Sequence, residues 1–185
     1  MGDTAPDLIR AVIGFRQWRL REAELWSLHA EDRWDKGVLT ARCLGEHHDG
    51  PAPDKGCTCG FYAWYAPPPR MASAATSELV AGAVALWGRL ELHPHGMRAE
   101  RAMVVALALP LSRGRKRRRV VAAAQALEVP AVPARRLRKV ALEHGDVVPK
   151  RMRPIDTTPN KRAAPGPPDP ARLYAVADGY PNRRR

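Results

Sequence analysis

The chain has 185 residues and a mass of 20.4 kDa, room for one modest domain with extensions and too little for a large multidomain enzyme. Its charge is uneven: residues 1–112 carry 12 basic and 13 acidic side chains, while residues 113–185 carry 19 and 6, so a near-neutral body precedes a third with net charge +13. Such asymmetry points to a polyanionic partner, and the best apolar run, Met103 to Leu111, is too short to cross a bilayer as a helix.

The segment Asp7 to Leu25 mixes two hydrophobic periods, and Gly14 favours a strand beginning near Phe15. Further extended runs are predicted at Glu24 to Leu28 and Gly37 to Cys43, the latter opened by the turn Asp35-Lys36-Gly37. From Leu44 to Pro69 the composition shifts to His, Gly, Pro and Cys, which predicts a loop in need of its own staple. Ser77 to Leu92 and Met97 to Leu109 read as two strands of a hairpin turning at Pro94-His95-Gly96. Val120, Val121, Ala124 and Leu127, then Leu137, Val140 and Ala141, recur at helical spacing and predict two short helices, the second closed by Gly145. From Val147 onward prolines and charges dominate and no core is offered, so this tail is expected to be disordered. The expected fold class is α+β: a small antiparallel sheet with a stapled loop over 1–112, a basic helix pair over 113–146 and a basic tail over 147–185.

Cys43, His47, His48, Cys57 and Cys59 fall within that irregular loop. Zinc suits such a segment, because thiolate and imidazole bind it tetrahedrally and its binding supplies folding energy that a Pro- and Gly-rich loop lacks. The expected ligands are Cys43, His48, Cys57 and Cys59, with His47 the alternative imidazole, and four protein ligands make the site structural. Three cysteines, two of them one residue apart, make no disulfide framework, and Met1 to Asp7 lacks the regions of a signal peptide, so a cytoplasmic location is expected. His93 and His95 flank Pro94 in the hairpin turn and are read as exposed turn histidines, since spacing ties no carboxylate or nucleophile to them. The five tryptophans, Trp18, Trp26, Trp34, Trp64 and Trp87, are read chiefly as core. Phe61, Tyr62, Trp64 and Tyr65 are the exception, expected on a short helix or turn with some rings outward and open to stacking on bases.

Arg113, Arg115, Lys116, Arg117, Arg118 and Arg119 form one basic cluster, Arg135, Arg136, Arg138 and Lys139 a second, and Lys150, Arg151 and Arg153 a third. Packed like charges repel until a counter-charge arrives, and phosphate backbones supply one. The helix pair has spacing similar to a helix-turn-helix, from which Pro130 and Pro133 in the connection and the lack of Ser or Thr caps depart. The expected partner is therefore nucleic acid, DNA first, gripped through its backbone. The alternative is a protein-interaction adaptor using exposed aromatics of the body, with the basic tail serving acidic partners. No nucleophile elbow, phosphate loop or dinucleotide fingerprint is present, so no enzymatic activity is expected.

Gly14-Phe15-Arg16-Gln17-Trp18, the Cys43 to His48 segment leading to Cys57-Thr58-Cys59-Gly60-Phe61-Tyr62-Ala63, and Val80 to Arg89 followed by His95 to Glu100 together resemble a family of uncharacterised actinobacterial and actinophage proteins. The resemblance spans residues 14 to 150, and Cys-x-Cys-Gly is its most specific part. It implies that the Cys and His residues belong to one site, and it carries no assigned activity.

Overall fold

The computed structural model describes residues 11–43, 48–67, 78–111 and 113–156. Strand β1 (Val12–Arg21) turns at Glu22, whose φ is 53°, into β2 (Glu24–Trp26), which pairs in turn with β3 (Arg33–Trp34). Two short strands follow, β4 (Leu39–Thr40) and β5 (Phe61–Trp64), and then the long hairpin β6 (Leu79–Leu92) and β7 (Gly96–Leu109). Helix α1 (Arg115–Ala126), strand β8 (Ala131–Pro133) and helix α2 (Ala134–Ala141) complete the elements of the described residues, with a 3-10 turn at Lys150–Met152.

The sheet curls onto itself. One edge of β1 pairs with β6 from Val12↔Leu86 to Arg19↔Leu79, β6 pairs with β7, the far edge of β7 takes β5, and β5 returns to β1 at the single pair Phe15↔Trp64. Irregularities in the β6–β7 register between Ala83 and Val84 and between Trp87 and Leu90 bend the hairpin, as closure requires. At Gly82 a Cβ would lie 2.5 Å from the Ala106 carbonyl oxygen and 2.9 Å from the Trp18 ring, so only glycine lets these strands and that ring close up.

Alternation along β6 sorts its side chains onto two faces. Val80, Val84 and Leu86 join a cluster with Trp18, Trp34, Phe61 and Leu107, while Ala81, Ala83 and Ala85 join one with Ile13, Phe15 and Val105. Helix α1 fills the first cluster through Val120, Ala123, Ala124 and Leu127, an i, i+3, i+4, i+7 stripe. Helix α2 fills the second through Leu137 and Ala141, where the alanines of the sheet admit a close helix.

The two helices thus cover opposite faces, and the connection between them is no turn. Strand β8 runs parallel to β7 from Leu107↔Ala131 to Leu109↔Pro133, making the sheet mixed, and carries the chain from one face to the other. This corrects the helix-turn-helix spacing: prolines are tolerated in an edge strand, so the Pro-containing connection joins the sheet. Phe61 to Trp64 is likewise a strand, with Phe61, Ala63 and Tyr65 buried and Tyr62 and Trp64 half-buried, rather than the expected helix or turn.

Order extends beyond residue 146. Val148 is buried in the first cluster, and Arg153 donates to the Val148 carbonyl (2.9 Å) while lying 4.3 Å from the Tyr65 ring centroid. The expectation of tail disorder for 157–185 lies outside the described residues. No helix among the described residues is long and apolar enough to cross a membrane.

Candidate functional site

The sulfur atoms of Cys43, Cys57 and Cys59 and a ring nitrogen of His48 all lie within 4.8 Å of one another. Cys43 Sγ is 3.6 Å from Cys57 Sγ, and His48 Nε2 is 3.3 Å from Cys59 Sγ. A tetrahedral ion with metal–sulfur bonds of about 2.3 Å and metal–nitrogen bonds of about 2.0 Å would set these separations near ~3.8 and ~3.5 Å, so the cluster can hold a metal ion. The imidazole is already turned for it. His48 Nδ1 lies 3.1 Å from the Gly50 carbonyl oxygen, which only accepts; the ring proton therefore sits on Nδ1, and Nε2 offers its lone pair to the cluster. His47, the alternative ligand, lies outside the described residues.

Both arms of the loop hang on one edge of β7. Strand β4 pairs with it at Leu39↔Ala102 and delivers Cys43, and β5 pairs with it from Phe61↔Ala99 and begins just after Cys59. Asp54 builds the turn between the arms, its carboxylate accepting from the Gly56 N–H (2.9 Å) and its carbonyl from the Cys57 N–H (3.1 Å). Gly60, at φ 112°, reverses the chain directly after Cys59, and a Cβ there would also come within 3.1 Å of Pro53. This is the local reason for glycine after the Cys-x-Cys pair.

The group that sets the loop against the sheet is Arg98, which the sequence reading passed over. Only 3% exposed, it donates to the carbonyl oxygens of Asp54 (2.9 Å), Cys59 (3.0 Å) and Cys57, and its Nε meets the Glu91 carboxylate at 3.0 Å. One guanidinium thus satisfies three carbonyls that no strand partner reaches, with its charge balanced by Glu91. A signal existed: Glu91 and Arg98 sit equally far from the Pro94-His95 turn, and they pair across the hairpin.

Burial pushes the Cys59 thiol up, and the neighbouring Cys57 and Cys43 add to the rise against a lowering hydrogen bond from the Asp54 backbone. The Cys59 thiol therefore resists ionisation alone, whereas a bound cation would invert that preference.

The basic clusters lie elsewhere. Helix α1 starts at Arg115, so Arg115 to Arg118 occupy its opening turn, with Arg113 just before it, no acidic residue in that turn and Gly114 giving no side-chain cap. Arg119 donates to the carbonyl oxygens of Leu20 (2.6 Å) and Glu22 (2.9 Å), fastening α1 to the β1–β2 turn. Arg117 reaches the Pro110 carbonyl at 3.4 Å, and Lys116 is partly buried, which lowers its pKa. Arg113, Arg115 and Arg118 are exposed, as are Arg135, Arg136, Arg138 and Lys139 on α2. None of these seven side chains makes an ion pair or hydrogen bond among the described residues. Since α1 and α2 cover opposite faces, the cations form two patches rather than one strip.

Trp18 and Trp34 are buried in edge-to-face contact with centroids 5.3 Å apart, which removes them as stacking platforms; Trp26, Trp64 and Trp87 are half-buried. His95 is exposed and bonds the Asp156 carboxylate at 3.0 Å, while His93 is half-buried with Nε2 3.6 Å from Glu91. Comparisons with protein-family models, curated proteins and solved structures give no match.

Proposed function

We propose that this chain is a non-enzymatic nucleic-acid-binding protein, with DNA the expected form, that grips phosphates through exposed cations of α1 and α2. A zinc ion on Cys43, His48, Cys57 and Cys59 holds the body together. Three thiols and an imidazole are the soft donor set that zinc takes in closed structural sites, and four protein ligands leave no position for a reacting water. The observation that carries the phosphate reading is the opening turn of α1. Cations there face the positive end of the helix dipole, with no acid and no side-chain cap, an arrangement that costs folding energy and that a polyanion relieves. Placement of the helices on opposite faces favours gripping of backbone over insertion of a helix pair into one groove.

The test is anisotropy of a labelled duplex over a salt series. Replacing Arg113, Arg115 and Arg118 by Gln should flatten the plot of log affinity against log salt by about 2.7, at about 0.9 per phosphate contact. An unchanged slope would overturn the reading. Substitution is the clean design, because truncation before α1 would remove Val120, Ala123 and Ala124 from the core. Metal analysis of protein purified under reducing conditions should return one zinc per chain.

A further inference from the structure

A cavity of about 390 Å³ opens at the seam where β5 meets β1, with Cys57 and Thr58 of the metal loop in its wall. It exists because the two strands meet only at Phe15↔Trp64. One residue further along, Arg16 spans the gap with its side chain, its Nη1 donating to the Tyr62 carbonyl at 2.7 Å and its guanidinium resting 4.7 Å from the centroid of buried Trp34. Arg16 thereby lines the cavity while tied to both β5 and the core.

Its walls have a specific chemistry. Tyr62 and Trp64, two residues apart, project from the same face of β5 and are both half-buried, and Leu28 adds apolar surface. Gln17 brings a primary amide that makes no hydrogen bond among the described residues, and Lys55 stands exposed at the rim. Flat aromatic walls beside an amide that can donate and accept at once match the face and the hydrogen-bonding edge of a nucleobase. The volume is that of a small-ligand site and admits a nucleoside, whereas a base paired and stacked in a duplex cannot enter.

We propose that this cavity receives one unstacked nucleobase of single-stranded nucleic acid, stacked on Trp64 and Tyr62 and hydrogen-bonded by Gln17, with Lys55 toward its phosphate. The proposal rests on the phosphate-gripping reading above and adds to it a preference for single strands.

Two measurements on the full-length protein test it. Adenosine, which has no phosphate, should shift the indole N–H resonance of Trp64 and leave those of Trp18 and Trp34 in place. An eight-nucleotide adenine strand should bind at least about tenfold more tightly than an abasic strand with the same phosphates, with parallel salt dependence. Gln17→Ala, a change at a half-exposed sheet position, should narrow that ratio several-fold without altering the abasic affinity. If adenosine leaves Trp64 unmoved and both strands bind equally, the base site is overturned while phosphate gripping stands. If adenosine shifts Trp64 but neither strand binds, phosphate gripping fails and the base site stands.

Discussion

The arginines of the sheet and those of the helices do different work. In the sheet, Arg19 and Arg21 share Glu31 at 3.1 and 2.8 Å, Arg33 bridges Glu24 (3.0 Å) and Asp35 (2.9 Å), and Arg98 is spent on Glu91 and three carbonyls. Just before α1 and on α1 and α2, Arg113, Arg115, Arg118, Arg135, Arg136, Arg138 and Lys139 have no such side-chain partner among the described residues. The first set consists of internal fasteners whose charge is cancelled within the fold; the second holds charge that no acid among the described residues cancels. Arg119 crosses the boundary, since it sits on α1 and fastens to β1. Residue type alone does not separate the two roles; the acids and carbonyls within reach do.

The largest effect is expected at the most enclosed fastener. Arg98→Met should cost about 3 kcal/mol in urea unfolding, because Glu91 and the Cys57 and Cys59 carbonyls lose their donor together, while the Asp54 carbonyl keeps only the Cys57 N–H. The same change should weaken zinc binding about 10- to 100-fold in a competitive chelator titration, as loss of an outer-shell support does. Near-wild-type values for both would place Arg98 among the spare cations. Arg119→Gln should cost about 1–2 kcal/mol while leaving the salt slope of DNA binding nearly unchanged; a flattened slope would move it to the outward set. The Arg113, Arg115 and Arg118 triple Gln variant should be more stable than the parent by a few tenths of a kcal/mol at low salt without nucleic acid, as helix-end repulsion is relieved. A loss of stability would show that these cations serve the fold. The smallest effect concerns His93, which burial holds below its usual pKa of 6.5, with Arg98 adding to the lowering and Glu91 opposing it. The unfolded chain then takes the proton first as pH falls through about 6.5, so stability drops in that direction, and His93→Gln should remove this component from thermal melts taken between pH 7.5 and 5.5.

Much of this was readable in the chain. The ligand set stood out because four donors crowd one irregular loop, and the β6–β7 hairpin because Pro94-His95-Gly96 separates two long apolar runs. Strand β8 was hidden by Pro130 and Pro133, which read as breaks unless an edge position is already known. The alternation of Phe61, Ala63 and Tyr65 was present but masked by the loop leading into it, and β5 is fixed by pairing with distant β7 rather than by its own four residues. Val148 and Arg153 anchor a stretch whose composition signals disorder, because one buried side chain and one stacked guanidinium suffice there. Placement of the helices on opposite faces follows only once β8 is known to lie between them.

The single pair that closes the sheet also sets how the molecule breathes. Amide protons of β6 from Gly82 to Leu86, flanked by both β1 and β7, should exchange with solvent only on extensive opening, whereas the β1–β5 junction needs only one rung to part. Deuterium uptake should therefore reach the β1–β5 junction before the centre of β6, with the four β5–β7 pairs intact. Tyr62 and Trp64 stand on the strand that flanks this one-rung seam, so parting it should widen the mouth between β1 and β5 while the β1–β6–β7 pairing holds.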